Sequence, residues 1–549
     1  MKTESFPSPQ AGWGLGGGEA KRYVLAIIAA GTLLRLVSAA TVGLGVDETY
    51  MVVASRQMSA GYFDHPPVAF WIARAAAAIG GEHRVIVRLP FIALFIGTTW
   101  LMYRLTARLY GERAGVWAAL ALNTSAVFAV SAGGWVLPDG PLDFGLVAAA
   151  YCLVRATLEE HGRYPIAWWI AAGACTGLAL LSKYHAALFM LGVMAFLVIQ
   201  PAQRHWLRRP EPYLFASIAL LIFLPDVLWN ARHGWASFAF QLGRSGVSSA
   251  IPLATRLRAL GQTIAGQATW VLPWIWVPLA VALGRTIAKR PRDDRDWLLL
   301  CLAAGPIIIF TVVALGGLPA LPHWAAPGYL MAFPLVGAAA AAAAEDARAL
   351  RRWLAGSAVA FVGLVAVLMS AAATGWPARL VPALVRRHDP TVELLDWSEL
   401  PRGLDSLHVL HRPNTFVAGT SWIQASKVAY ALGPGVHVLC LTADPRHFGF
   451  LEDERRYIGR DALIITRLPD SRGVVTRYGP YFDRVEDVGR IPIYRFGHHE
   501  FDVGVYLAHD FRALTPQPAL PSAVRVAVAP RAFDAGYLLF DTNPGNPTP

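Results

Sequence analysis

Runs of about 20 apolar residues recur through the first two thirds of this chain. A bilayer core is the environment such runs match, because roughly 20 residues of helix cross it. The first run covers 23–43. Others lie near 88–108, 114–134, 139–157, 165–182, 184–200, 213–230, 262–284, 297–316, 324–344 and 353–373, about eleven in all. Of the 549 residues 55% are hydrophobic and only 15% charged, against about 25% charged in a soluble protein. An ordinary soluble enzyme and a disordered chain are thereby excluded. Four cysteines are too few for a disulfide-stapled module, and Cys152, Cys175 and Cys301 fall inside apolar runs, where a thiol acts as a small hydrophobe. The composition describes a mainly α, polytopic membrane protein of about 11 transmembrane helices. Run 23–43 reads as a retained first helix rather than a cleaved leader.

The net charge is +11. Nucleic-acid binding would cluster basic residues on one face with aromatics between them. Here the cations recur at every second loop: Lys21/Arg22, Arg104/Arg108/Arg113, Arg155/Arg163, Arg204/Arg208/Arg209, Arg285/Lys289/Arg290/Arg292/Arg295 and Arg348/Arg351/Arg352. Such loops face the cytoplasm. The expected organisation is a disordered cytoplasmic tail at 1–21 and a transmembrane domain at 22–375 whose first outer loop is 44–87. An extracytoplasmic α/β domain at 376–549 follows. Short β-rich strings mark that domain: His408–Leu410, Thr415–Val417, His437–Leu441 and Ala462–Thr466. A segment of helical spacing, Ile423–Leu432, lies between them, and the stretch 515–549, rich in Pro and Ala, reads as poorly ordered.

Charge at the mouth of a membrane bundle is costly and marks candidate sites. Four groups fall on the outward side. Asp47-Glu48-Thr49-Tyr50 follows the first run; its carboxylates suit a general base or a metal ligand, and equally a helix cap. Tyr62-Phe63-Asp64-His65-Pro66-Pro67 fixes a turn with two prolines and leads either to a site or simply into an interfacial helix, Val68–Ile79. Asp139 begins the fourth run, as a cap or as a functional acid, with Asp143 one turn deeper. Basic and imidazole groups complete the set: Lys183-Tyr184-His185, Arg232-His233 and His323-Trp324. Singly these are snorkelling side chains; together they suit an anionic phosphate or a metal. Outward carboxylates beside outward cations fit transfer from a lipid-linked phosphate, in which a carboxylate deprotonates an acceptor hydroxyl and cations stabilise the leaving phosphate.

The Asp-Glu pair, Tyr-Phe-Asp-His-Pro-Pro, Leu-Pro-Asp-Gly-Pro (137–141) and Ser-Lys-Tyr (182–184) resemble bacterial membrane glycosyltransferases of the GT-C superfamily. The resemblance is to the protein-mannosyltransferase-like family 39 group, related to the lipid A aminoarabinose transferases, and covers about 22–510. Val417–Trp422 and Leu441–Phe448 are similar to the extracytoplasmic domain of that group. The resemblance implies a polyprenyl-phosphate-linked sugar donor, an envelope acceptor (glycolipid, polysaccharide or protein hydroxyl) reached from the periplasm, and residence in the bacterial inner membrane. It implies Asp47 as the catalytic carboxylate with Glu48 as its partner, and Asp139 as the second carboxylate. His65 stands where the aminoarabinose branch carries a phosphate-facing lysine and the mannosyltransferases a histidine; Lys183 and Arg232 join it as donor-phosphate groups. Asp64 stands where the aminoarabinose branch has a metal-binding glutamate, so a divalent metal ion on Asp64, His233 and His323 is one expectation. Tyr50, Tyr62, Asp143, Tyr184 and Trp324 are expected to line the pocket or meet the acceptor. The alternative, a polyprenyl-lipid or solute carrier, would place its charges at the bilayer midplane on paired broken helices.

Overall fold

A computed structural model describes residues 17–159, 165–243, 251–289, 293–317, 320–342, 345–381, 389–467 and 471–512. Residues 1–16, Arg163, Arg290, Arg292 and the stretch 515–549 lie outside the described residues. The first helix already begins at Gly17, inside the segment expected to be a disordered tail.

The helices run α1 (Gly17–Thr41), α2 (Val46–Ala54), α3 (Val68–Gly80), α4 (Arg84–Tyr110), α5 (Glu112–Asn123), α6 (Asp139–Thr157), α7 (Pro165–Leu180) and α8 (Ala186–Ile199). They continue with α9 (Glu211–Arg232), α10 (Ala236–Gly243), α11 (Leu253–Val271), α12 (Pro273–Ala288), α13 (Asp294–Val312), α14 (Ala326–Leu330), α15 (Phe333–Ala341) and α16 (Glu345–Thr374). Among the described residues five helices are long and apolar enough to cross a membrane, or up to eight if each of three bent pairs is one span.

Several apolar runs are therefore not straight helices. Run 114–134 is α5 followed by a π-helical turn, Val127–Ala132. Run 262–284 is broken between α11 and α12, which meet at 110°. There Leu272 has φ +77°, and Pro273 has no N–H with which to continue the helix. Apolar periodicity records burial and is blind to such breaks.

One apolar core joins α4 to α9 with α12 to α15. Small residues bring these backbones together, as is usual between membrane helices. A Cβ at Gly192 would come within 2.6 Å of the Cys301 carbonyl oxygen.

The tail folds on a five-stranded sheet of order β2-β1-β3-β5-β4. Its strands are β1 (Thr415–Gly419), β2 (Val438–Cys440), β3 (Asp461–Thr466), β4 (Arg484–Arg495) and β5 (His498–His509). β1 pairs parallel with β2 and β3, and β5 pairs antiparallel with β3 and β4. The expected helix is present as Trp422–Leu432. His408–Leu410 is not a strand: it lies in a turn, with His408 at φ +56°. The β4–β5 hairpin escaped the sequence reading because charged residues and Pro492 interrupt its alternation. Its two-residue turn, Phe496-Gly497, has φ +50° and +79°, the mirror-image geometry that suits the twist of a hairpin.

The tail helix locks this domain onto the loop after α1. Lys427 Nζ donates to the carbonyls of Leu44 (2.6 Å) and Leu395 (3.0 Å). Arg56 clamps Glu82 and donates to the Ala429 carbonyl, while Tyr430 donates to the Glu82 carbonyl.

Candidate active site

Two proline-bearing loops and two helix starts converge where the tail meets the bundle. The 61–67 loop enters α3 through Val68, whose N–H donates to the Leu181 carbonyl at 3.0 Å. This one bond sets His65 beside the segment that carries Lys183. Gly61 is needed for the approach, since a Cβ there would stand 2.8 Å from Asp226 Oδ1 and 2.9 Å from the Trp229 ring.

Lys183 Nζ donates to both oxygens of Asp139, at 2.9 and 3.0 Å, and both residues are buried. Asp143, also buried, lies within electrostatic range of Asp139 and Lys183. His323 and His65 act on the Asp139 carboxylate as well. The structure thus brings together Asp139, Asp143, Lys183, His65 and His323 from four separate places in the sequence. Buried charges persist only when paired in this way.

Asp47 and Glu48 part company on α2. Asp47 is exposed on the first turn. Glu48 is fully buried and accepts four bonds: from Gly45 N (2.9 Å), Val136 N (3.0 Å), Arg88 Nε (2.8 Å) and Arg88 Nη2 (2.5 Å). Arg88 donates further to the Val42 and Gly43 carbonyls. With both oxygens so committed, Glu48 has the geometry of a staple rather than of a proton acceptor. It ties α4 and α2, the helix that carries Asp47, to the segment leading into Asp139.

Tyr50 and Asp64 form a second network with the tail. Tyr50 donates to Asp64 Oδ1 at 2.9 Å and accepts from the His447 backbone N–H. Burial, then the Asp64 charge, holds its phenol well above the ordinary range. Arg446 Nη1 lies 3.8 Å from Asp64 Oδ2, and its guanidinium sits over the Phe240 and Trp422 rings. His447 accepts from Phe63 N, and burial pushes its imidazole down to about 3, so it is neutral. Tyr62 is fully buried, stacked on Phe70 and bonded to the Gln57 carbonyl, which makes it part of the seam between loop and tail rather than a pocket wall.

The expected metal ligands are not gathered. Asp64 is engaged by Tyr50. His233 bonds the Trp229 carbonyl at 2.7 Å and stacks on the Trp229 ring, and His323 lies beside Asp139. Among the described residues no group of three His, Cys, Asp or Glu side chains is placed to hold a metal ion. Asp64, His233 and His323 do not form a metal-binding group as placed here.

Arg232 is exposed at the C-terminal end of α9. Tyr184 donates to Asp226 and meets Ser237 Oγ at 2.7 Å. Trp324 is half-buried, against Phe310 and close to His185. The sequence reading missed Asp226, Arg88, Arg446 and His447. Asp226 was visible as a carboxylate within an apolar run. Arg446 and His447 lie in the Leu441–Phe448 string, but nothing local marks them as site residues, and they reach the site only through the docking of the tail.

Residues 64–229 match the family described as dolichyl-phosphate-mannose-protein mannosyltransferase. The chain is 25% identical over 288 residues to the lipid A galacturonosyltransferase RgtD of Rhizobium johnstonii, covering 52% of this chain and 58% of that one. It is 25% identical over 285 residues to the undecaprenyl phosphate-alpha-4-amino-4-deoxy-L-arabinose arabinosyl transferase of Erwinia tasmaniensis, covering 49% of each. The chain thus spans about half the length of these curated relatives. It is also 25% identical over 373 residues to the lipopolysaccharide core galacturonosyltransferase RgtB of Rhizobium johnstonii, covering 64% of this chain and 72% of that one. The fold is similar to that of the crystal structure of ArnT from Cupriavidus metallidurans bound to undecaprenyl phosphate, with a TM-score of 0.59 and 17% identity, covering 89% of this chain and 98% of that chain.

Proposed function

With residues 64–229 as a domain of the dolichyl-phosphate-mannose-protein mannosyltransferase type, we propose that the chain is a membrane glycosyltransferase. It moves a sugar from a polyprenyl-phosphate donor to an envelope acceptor, in the first place the lipid A or core region of lipopolysaccharide. The carrying observation is the buried Lys183–Asp139 pair, with Asp143, His65 and His323 around it, in a segment tied through Val136 and Glu48 to the helix that exposes Asp47.

Asp47 takes the proton of the acceptor hydroxyl. The hydroxyl oxygen then bonds to the anomeric carbon, and the bond from that carbon to the phosphate oxygen breaks. The electron pair leaves on the phosphate, which Lys183 and His65, with Arg232 nearer the surface, stabilise. Attack opposite the leaving group inverts the anomeric centre. A phosphate is a weak base, so its departure needs charge stabilisation more than a general acid. Asp139 keeps Lys183 charged and aimed.

The names of the relatives support this reading, since they are galacturonosyl- and arabinosyltransferases acting on lipid A or lipopolysaccharide or using an undecaprenyl-phosphate sugar. Topology belongs to the same proposal: eleven crossings of the inner membrane, some made by bent or short helices, a cytoplasmic N-terminus, and the domain after about 376 in the periplasm over the site.

The test is purified protein in liposomes with lipid A and, separately, labelled polyprenyl-phosphate galacturonate, 4-amino-4-deoxyarabinose and mannose. Label appearing in lipid A with one donor supports the proposal. Transfer by Asp47→Asn at the wild-type rate removes Asp47 as base. Movement of intact donor across the bilayer without transfer replaces the enzyme by a carrier.

A further inference from the structure

A cavity of about 390 Å³ lies at the end of the bundle away from the Asp139 cluster. Tyr110, which lines it, closes the C-terminal end of α4. Arg88, near the start of the same helix, is tied through Glu48 to Val136 and so to the Asp139 segment. The 22 steps of helix from Arg88 to Tyr110 span about 33 Å at 1.5 Å each, the depth of a bilayer core. The cavity belongs to the opposite membrane face.

Ala282 and Leu335 give its walls a small or apolar side, and its charged lining is three cations, Arg285, Lys289 and Arg295, against two carboxylates, Asp293 and Asp296. Two of the cations are held by carboxylates, Lys289 by Asp296 at 2.7 Å and Arg295 by Asp293 at 2.7 Å. Arg285 is different. Among the described residues its ion pair is with Asp346 at 3.9 Å, with both side chains largely in solvent, and an exposed pair this long has little worth. An anion would answer the one cation left over in this lining, and its apolar portion suits the alanine and leucine wall.

We infer that this cavity binds the phosphodiester head of an anionic membrane lipid, with Arg285 as its principal contact. Basic pockets between membrane helices take lipid head groups in this way. The inference does not depend on the glycosyltransferase reading, and its test measures binding rather than sugar transfer.

Full-length protein in detergent is titrated with dioleoyl phosphatidylglycerol, with dioleoyl phosphatidylcholine and with glycerol 3-phosphate. Bound lipid is read by native mass spectrometry and the melting temperature is recorded. Phosphatidylglycerol is expected to bind more tightly than phosphatidylcholine and to raise the melting temperature. Arg285→Ala should weaken that binding about fivefold, the worth of one basic residue near an anionic head group. Leu335→Trp, which fills the cavity, should do the same while leaving Arg285 in place. Equal binding of the two lipids, or wild-type binding by both variants, overturns the site. A melting shift by glycerol 3-phosphate as large as that by phosphatidylglycerol overturns the lipid as its source.

Discussion

Replacing Glu48 by Gln tests whether the second half of the Asp-Glu pair is structural. Glu48 and Arg88 are both essentially inaccessible, at 0% and 2% exposure. The change leaves a guanidinium facing an amide whose Nε2 hydrogens oppose its own, with the Val42 and Gly43 carbonyls as its remaining acceptors. Breaking one side of a buried ion pair costs about 3–5 kcal/mol. The amide oxygen can still accept from the Gly45 or Val136 N–H, which holds the loss toward the lower figure. Glu48→Gln combined with Arg88→Met removes the stranded charge, although two carbonyls then lose their donor. The double variant should recover roughly 2 kcal/mol relative to the sum of the single changes, as contacting pairs commonly do. Unfolding free energies from SDS titration in mixed micelles give the cycle directly. Additive single and double variants would refute the staple. So would Glu48→Gln that unfolds like wild type yet transfers no sugar, which would put Glu48 in contact with substrate.

Four further outcomes follow from the same geometry. Asp47→Asn, on an exposed helix turn, should lower the rate of transfer about 10²–10⁴-fold with unfolding unchanged; matched losses of rate and stability would speak against a proton-transfer role. Lys183→Met strands the buried Asp139 carboxylate and should cost both activity and about 3 kcal/mol of stability, whereas Lys183→Met with Asp139→Asn should restore the fold and leave transfer lost. Burial pushes the Lys427 ammonium down to about 8 from an ordinary value of about 10.4. Between those pH values the unfolded chain holds the proton and the folded chain does not, so stability should rise with pH across that window by about 3 kcal/mol. Melting curves of Lys427→Met should lack that slope, and an unchanged slope would reject the assignment. EDTA is expected to leave transfer intact, because Asp64, His233 and His323 are not gathered as ligands; a loss reversed by a divalent ion would show a donor set that this geometry does not reveal.

Much of the site was legible because its residues are ones a membrane chain does not keep idly. Asp139, Lys183 and His65 could be named from sequence since charge at the mouth of an apolar run is expensive, and the structure does bring them together. The roles of Glu48 and Tyr62 were not legible. A carboxylate beside another carboxylate looks the same whether it faces a substrate or an arginine 40 residues away, and a tyrosine in a proline-fixed loop does not announce the ring it stacks upon. Arg446 and His447 were hidden for a related reason, since nearly 400 residues separate His447 from the Tyr50 and Phe63 atoms it meets, and Arg446 is as remote from Asp64.

The sequence by itself determined the solvent, the class of fold and the scarce charges on which any chemistry must rest. Those properties are sums over residues or short-range patterns, and a bilayer reads them directly. Only the tertiary structure decided which apolar runs are unbroken helices, because one proline and one positive φ can turn a run through 110°. It alone decided the partners as well: Arg88 for Glu48, Lys183 for Asp139, Tyr50 for Asp64. Pairing energies fall steeply with distance and rise with burial, and neither quantity exists until the chain has closed on itself.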